Sequence, residues 1–536
     1  SSPAGLAALA PRHGRIDVEP LRRAAGGLRR AERLVGRARR AVAAAPATFV
    51  LGPADEARES LHEQLDALGR SLAGAVDLSR ELPGFLGASG PRRYFVGAQN
   101  PAELRGTGGF LGAYGVLVAD HGDLDLSDLR SITALPSLDP GAVPSPNASY
   151  RRRYERYGGA GFWQNLNMTP DFPSAAVAME RLFELGGGGG VDGAVVADPF
   201  ALAGLLDVTG PVNVRGVGSV DAAGVVEFVT NDAYTRFRQP DRRRRLLADV
   251  ATTVVRTFLR EAGRRPARAA QALIGAAAGG HVLLHSEHAG EQAAFETADV
   301  AGRLADPAGD HLALVANNAA ANKADFFLRP AVRHDVSLLP GGAARAVTTV
   351  TMANDAPPRG EPAYVIGPNT QGLRPGDNET LLSVYRPDTT VLTRVTRDGA
   401  PTAVAPEPEL GHTVYTARVR IPSGESTRLT YTMRSAGVWT GDDVAGSYRL
   451  TVQSQPTLNP VRLRVDVAVP EGMRVVDTSP DMATGDGRLT WSGEADHPTT
   501  IRVRFARPPL ALVWHEVWRF LNRPLLSTDQ SDMPGE

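Results

Sequence analysis

RYFVGAQNPAELRGTGGFLGAYGVLVAD, residues 93–120, sets the fold class of this chain. YFVGAQ (94–99) and FLGAYGVLVAD (110–120) are short apolar runs bounded by Gly, Pro and Asn, which predicts two buried strands. NPAELRGTGG (100–109) joins them. Further along, SAAVAMERLFEL (174–185) has helical spacing and stops at the glycines 186–190. VDGAVVADP (191–199) predicts a strand, ALAGLLDVTG (201–210) a short helix and DRRRRLLADVATTVVRTFL (241–259) a longer one. AQALIGAAAGGHVLLHS holds a helix and then a strand, and HLALVANN (311–318) a further strand. Strands alternating with helices predict a layered α/β (α+β) domain over 91–330.

The flanks have other periods. Over 17–86, Leu21, Leu28, Leu34, Leu61, Leu68 and Val76 recur at helical spacing and predict a helical hairpin. Gly52-Pro53-Ala54-Asp55 supplies its break and a capping carboxylate. From 331 to 508, alternating runs such as AVTTVTMAND (346–355) and TVYTARVRI (413–421) are separated by turn residues. They predict an all-β, immunoglobulin-like sandwich region of one or two modules. LALVWHEVWRFLNRP, within 509–524, predicts an amphipathic helix that docks on the protein or touches a membrane surface.

Composition narrows the function classes. Apolar content of 42% and charged content of 22% describe a globular chain. Lys+Arg 58 against Asp+Glu 59 leaves a net charge of −1, so no nucleic acid is expected as a partner. Cys is absent, which excludes disulfides, thiolate nucleophiles and Cys-based zinc sites, and fits an extracytoplasmic protein as well as a cytoplasmic one. The start, SSPAGLAALAP, is not an intact signal peptide, and an anchor before residue 1 is expected to have been removed. The single lysine is Lys323, so cationic chemistry here is almost entirely guanidinium chemistry.

Six arginines fall between Arg236 and Arg245 in NDAYTRFRQPDRRRRLL. Guanidinium groups grip phosphate oxygens in pairs, and a cluster this dense repels itself unless an anion sits in it. Arg236 and Arg238, in an extended stretch, project to one side. Asp241 is the expected N-cap of the following helix, whose buried stripe is Leu247, Val250, Val254 and Phe258. Arg243 lies on that stripe, Arg242 and Arg244 flank it, and Arg245 points away. Arg236, Arg238 and Arg243 are therefore expected to meet at one mouth. The bland reading is a solvated basic turn paired with Asp232 and Asp241.

Two loops add candidates. In 100–115, Gly106, Gly108 and Gly109 permit close backbone approach, and Glu103 and Arg105 bring opposite charges to the end of a strand. In WQNLNMTPDFP (163–173), Trp163, Asn165, Asn167 and Asp171 are suited to a sugar cleft, or to completing a metal site, with turn and cap roles as the alternative. HVLLHSEH (281–288) places three histidines together without a zinc-protease pattern.

RYFVGAQNPAELRGTGGFLGAYGVLVADHGDLDL, NLNMTPDFPSAA, VDGAVVADPFALAGLLDVTGPVNV and NNAAANKADFF together resemble the bacterial domain-of-unknown-function family four-thousand-twelve. More distantly, the third of these and the arginine segment resemble the LytR-CpsA-Psr family. Its members are membrane-anchored extracytoplasmic phosphotransferases. They move a glycopolymer from a polyprenyl diphosphate to a cell-wall acceptor, with magnesium and no organic cofactor. The resemblance implies a polyprenyl-diphosphate-linked glycan and a cell-wall polymer acceptor as partners, and a cell-envelope location. It implies that Arg105, Arg236, Arg238 and Arg243, bordered by Arg242 and Arg244, hold the diphosphate, with apolar residues beneath them receiving the lipid. Arg105 would assist catalysis, Glu103 or Asp171 would act as base, and Asn100, Glu103 and Asp171 are the candidate metal ligands. Where that family carries Arg-Ser-Asp-Thr, this chain has Arg105-Gly106-Thr107-Gly108, and only Leu129-Arg130-Ser131-Ile132 echoes a second motif. The competing expectations are a cell-wall carbohydrate hydrolase or glycan-binding protein, with Trp163, Asn165 and Asn167 on the sugar, and a non-enzymatic envelope scaffold.

Overall fold

The computed structural model describes residues 10–44, 53–139, 141–442 and 444–507, without the side chains of 53–57, 59, 60 and 63. The expected C-terminal helix (509–524), Gly52 and the Asp55 carboxylate lie outside these described residues. Helices α1 (Val18–Ala44) and α2 (Pro53–Phe85) form the expected hairpin. Its base is tied down by Leu21 and Val76, which are buried. Leu34, Leu61 and Leu68, on the same predicted stripe, stay exposed.

The central sheet is built from β1 (Arg92–Asn100), β2 (Phe110–Asp120), β3 (Asp123–Leu126), β4 (Arg130–Ser131), β5 (Gly193–Ala197) and β6 (Val282–Ser286). Their spatial order is β3-β2-β1-β5-β6, with β4 also on β2. The sheet is mixed: β1 runs antiparallel to β2 and parallel to β5, and β5 antiparallel to β6. Helix α3 (Phe172–Phe183) covers one face. Helices α4 (Pro199–Thr209), α5 (Pro240–Glu261) and α6 (Pro266–Ala278) cover the other, and α7 (Ala289–Thr297) meets the hairpin through Phe295 and Phe85. Strand alternation sorts the two cores: Phe95 packs with Trp163, Met179 and Phe183, whereas its neighbour Val96 faces Leu206, Val250 and Val254.

Two eight-stranded sheets follow, sharing one core in which Leu312, Val384 and Tyr415 meet Val332, Val350 and Val465. The molecule thus combines helices with several sheets, an α+β architecture. HLALVANN changes sides. The strand Asp310–Asn318 sits inside the second of these sheets, antiparallel to Asn378–Pro387 and parallel to Ala445–Gln453. The expected border at 330 therefore moves to just before Asp310. An apolar run buried on both faces announces a central strand, but its sequence does not say which sheet receives it. The two parts are locked together: Gln455 Nε2 donates to Arg105 O at 2.6 Å and Ala316 O at 2.9 Å, and Arg153 pairs with Glu409 at 2.8 Å.

Candidate functional site

The arginine segment splits as it folds. Residues Ala233–Arg236 form a helical turn, so Arg236 and Arg238 do not lie on an extended strand. Arg236 is exposed, donates to Val217 O at 2.7 Å and covers the Phe237 ring; Arg238 is exposed. Helix α5 is capped at Gln239 with Pro240 in its first turn, which displaces the expected cap at Asp241; that carboxylate pairs instead with Arg244 at 3.1 Å. Arg242 lies against Phe237 and Arg245 faces solvent. Arg243 alone of the six is buried, at 4% exposure. Its Nη1 donates to Phe237 O at 2.9 Å, and its guanidinium sits 4.7 Å and 4.9 Å from the ring centroids of Tyr234 and Tyr364.

From Arg243 the α5 row Leu247, Ala251, Val255 and Leu259 follows at four-residue intervals, and all five side chains line one cavity of about 340 Å³. Its other walls come largely from the sheet, through Val96, Ala113, Leu117 and Leu124, and the backbones of Leu124 and Leu259 both bond Gly14. Gln99, Asn100, Tyr234, Arg244, Lys323 and Tyr364 make the lining polar near the start of α5. The result is an apolar chamber with a polar, cationic head. A surface groove of about 400 Å³ shares Ser131, Thr133 and Arg244 with it and adds Arg130, Asp241, Arg245 and Asp249. Such a combination can hold a hydrocarbon chain and an attached anion.

Arg105 lies elsewhere. It is buried, with Nε on Gln164 O at 2.7 Å and Nη1 on Leu104 O at 2.8 Å and Asn318 O at 3.3 Å. Its Nη2 reaches Glu103 and Asn165 at 3.5 Å each. Burial pulls its pKa down, against the carboxylates of Glu103 and Asp325. Arg105 is thus a clamp between loops, and it is not among the residues lining the cavity, which corrects its expected place beside the other arginines. The glycines do act as expected: a side chain on Gly106 would strike Met168 O at 2.2 Å, and one on Gly109 would strike the Asn100 backbone at 2.4 Å.

The expected metal ligands do not converge either. Asn100 Oδ1 accepts from Ala102 N, and its Nδ2 donates to Val229 O and the Tyr234 hydroxyl. Glu103 is held between Arg105 at 3.5 Å and Lys323 at 3.7 Å. Asp171 caps α3 through Ser174 N at 3.1 Å and receives Leu304 N at 3.0 Å. Three oxygens already engaged in separate places do not fit a magnesium shell, which needs near-octahedral oxygen ligation. Among the described residues no group of three His, Asp or Glu side chains is placed to hold a metal. His281 and His285 pair with Asp198 and Glu180 at 2.7 Å each.

The sugar-cleft expectation meets the core. Trp163 is 1% exposed, stacked on Phe95, with Nε1 on Pro136 O; Asn167 is fully buried on Thr107 and Gly109 O. Asn165, half-buried, bonds Tyr157 O at 2.8 Å. Two cavity residues went unread in the sequence. Tyr364 comes from a turn between strands of the β region, with nothing local to mark it. Lys323 carried one signal, being the only lysine in the chain.

Residues 89–234 match the family described as Protein of unknown function (DUF4012). The matched segment is a little over a quarter of the chain. It supplies the sheet face of the cavity and Tyr234, while Arg243, Lys323 and Tyr364 lie beyond it. No curated protein matches the chain. Among solved structures, a Legionella pneumophila protein described as nutrient binding is 11% identical over 40% of this chain and 77% of that one, with a TM-score of 0.27. Leukotriene A4 hydrolase from Saccharomyces cerevisiae is 9% identical over 33% and 29%, with a TM-score of 0.21. An M1 zinc metallopeptidase from Deinococcus radiodurans is 11% identical over 33% and 42%, with a TM-score of 0.20. The chain spans less than half the length of either enzyme. At these scores the likenesses decide neither fold nor chemistry.

Proposed function

We propose that the cavity receives the lipid of a polyprenyl-diphosphate-linked glycan, and that the protein is a cell-envelope glycopolymer phosphotransferase of the LytR-CpsA-Psr kind. The observation that carries this reading is the polarity gradient along the α5 row, from Arg243 through Leu247, Ala251 and Val255 to Leu259. Its volume of about 340 Å³ falls in the range of small-ligand sites, about 300–1,000 Å³. In this reading the hydrocarbon lies against Leu117, Leu124, Val255 and Leu259, and the phosphates meet Arg243 and Arg244. The glycan extends along the groove beside Arg130 and Arg245.

An acceptor hydroxyl then attacks the sugar-linked phosphorus. The new P–O bond forms as the bond to the bridging oxygen breaks, the hydroxyl proton passes to the departing phosphate, and the lipid leaves as its monophosphate. Fixed guanidinium groups near those oxygens stabilise charge that builds during the transfer. No step is assigned to magnesium, because Asn100, Glu103 and Asp171 do not form its shell. The β region, immunoglobulin-like in this reading, buttresses the head of the cavity through Tyr364. The reading implies a location at the envelope membrane, where such lipids reside. Among the described residues no helix is long and apolar enough to cross a membrane.

Titration of the protein with a short-chain prenyl diphosphate, with and without Mg²⁺, tests the proposal. Saturable binding that weakens about tenfold or more in Arg243→Ala is expected, the size of one charge-assisted contact. Equal binding by wild type and Arg243→Ala would overturn the site. Binding without transfer to any cell-wall polymer acceptor would leave a lipid-binding scaffold.

A further inference from the structure

The only lysine of the chain is 2% exposed and lines the cavity. Its position is heavily specified. Lys323 N donates to Val365 O at 2.9 Å, which brings the neighbouring Tyr364 to the same wall. On one side, Asn322 bonds Asp377 O at 3.0 Å and receives Ala324 N. On the other, Asp325 receives Leu104 N, Asn318 Nδ2 and Asn378 Nδ2. The preceding Ala321 holds φ at 51°, a left-handed conformation that costs a non-glycine residue energy. All of this fixes one ammonium group at the cavity head.

That ammonium is under-served by its surroundings. It carries three donors, yet among the described residues it makes no hydrogen bond; Glu103 stands at 3.7 Å, beyond bonding distance. The ring centroids of Tyr234 and Tyr364 lie 5.0 Å and 5.8 Å away, the same two rings that Arg243 approaches. Burying an ammonium is unfavourable unless it is paired and hydrogen-bonded. Two cations from distant parts of the chain therefore share one aromatic corner, and the carboxylate 3.7 Å from Lys323, that of Glu103, is also paired with Arg105. This arrangement suits a ligand with several anionic oxygens, and a single Arg–carboxylate pair would not require it.

We infer that Lys323 is a phosphate-recognition residue, which closes on the ligand's phosphate oxygens together with Arg243 while Glu103 serves as its counter-ion. The inference rests on the lipid-phosphate reading for the ligand's tail, and its own claim concerns the phosphate. Because no other lysine exists, amine-directed labelling followed by peptide mapping reports Lys323 alone among side chains. Inorganic diphosphate is expected to slow labelling of Lys323 several-fold in the wild-type protein, more than inorganic sulfate at equal ionic strength. Lys323→Ala is expected to weaken a prenyl diphosphate about tenfold and leave the uncharged prenol unchanged. Lys323→Met replaces the ammonium by a neutral group of similar size and leaves Glu103 paired with Arg105 at 3.5 Å. It should bind prenol as the wild type does and lose the preference for diphosphate, whereas Lys323→Arg retains it. Labelling indifferent to diphosphate, or a Lys323→Met protein that still prefers diphosphate, overturns the assignment. If prenol does not bind but diphosphate still protects Lys323, the lipid reading falls and the phosphate assignment stands.

Discussion

Arg105 and Arg243 carry the same group and were expected at the same mouth, but their surroundings divide them. Arg105 spends its donors on the carbonyls of Gln164, Leu104 and Asn318 and on two side chains, all within a dry junction. Among the described residues the Arg243 side chain makes one hydrogen bond and otherwise meets ring faces and cavity. Truncation should therefore have opposite signatures. Arg105→Ala leaves three buried carbonyls without their donor and Glu103 with Lys323 alone, and is expected to cost about 3–5 kcal/mol in urea unfolding. A loss below about 1 kcal/mol would show that the clamp is not structural. Arg105 was legible as important from its glycine-flanked loop. Its role was not, because a guanidinium that binds phosphate and one that ties carbonyls together have the same local sequence.

At the scale of elements, α5 has two inward rows. Val250, Val254 and Phe258 are buried in the core, as their spacing predicts. Leu247, Ala251, Val255 and Leu259 instead line the cavity. Apolar periodicity reports which side of a helix avoids water, and a lipid-filled space and a protein core look alike to it. The Ala at 251 is the telling member, since it leaves room. Ala251→Phe is expected to fill that room, raising or holding the thermal midpoint while abolishing prenol binding. A variant that binds prenol as well as the wild type would place the ligand elsewhere.

Across the whole molecule, the β region that buttresses the cavity has buried titratable groups. His311 is fully buried, and neither ring nitrogen has a hydrogen-bond partner; burial, helped by His412 and Arg386, pushes its pKa down to about 3. His334, beside Arg386, is lowered for the same first reason. A lowered histidine means that the unfolded chain takes up the proton first, below about pH 6.5, so stability falls as pH drops from there towards 3. Asp325 works the other way. Burial raises it to about 6, so it favours the folded state most at low pH and loses that contribution as pH rises from about 4 to 6. Within the β region, three lowered histidines, His412 being the third, stand against one raised carboxyl, which predicts a net loss on acidification. The thermal midpoint should fall between pH 7.5 and pH 5, and by less in His311→Phe; an identical fall in the variant would remove His311 as a cause.

Local spacing was enough for the helical hairpin, the strands of the central sheet and the alternating β region, because hydrophobic period and turn residues are written in neighbouring positions. The DUF4012 segment could be read the same way, from ELRGTGGF and NMTPDFP. Local sequence also placed Arg243 on an inward row of α5, since four-residue spacing ties it to Leu247. It could not bring Lys323 and Tyr364 to Arg243, exclude Arg236 and Arg238, or bury Trp163. Those outcomes depend on which surfaces meet after about eighty to a hundred and twenty residues of intervening chain, and on which polar groups then find partners away from water. The candidate site is made by that meeting: one helix row contributes the apolar bore and Arg243, and a loop from the β region contributes the second cation.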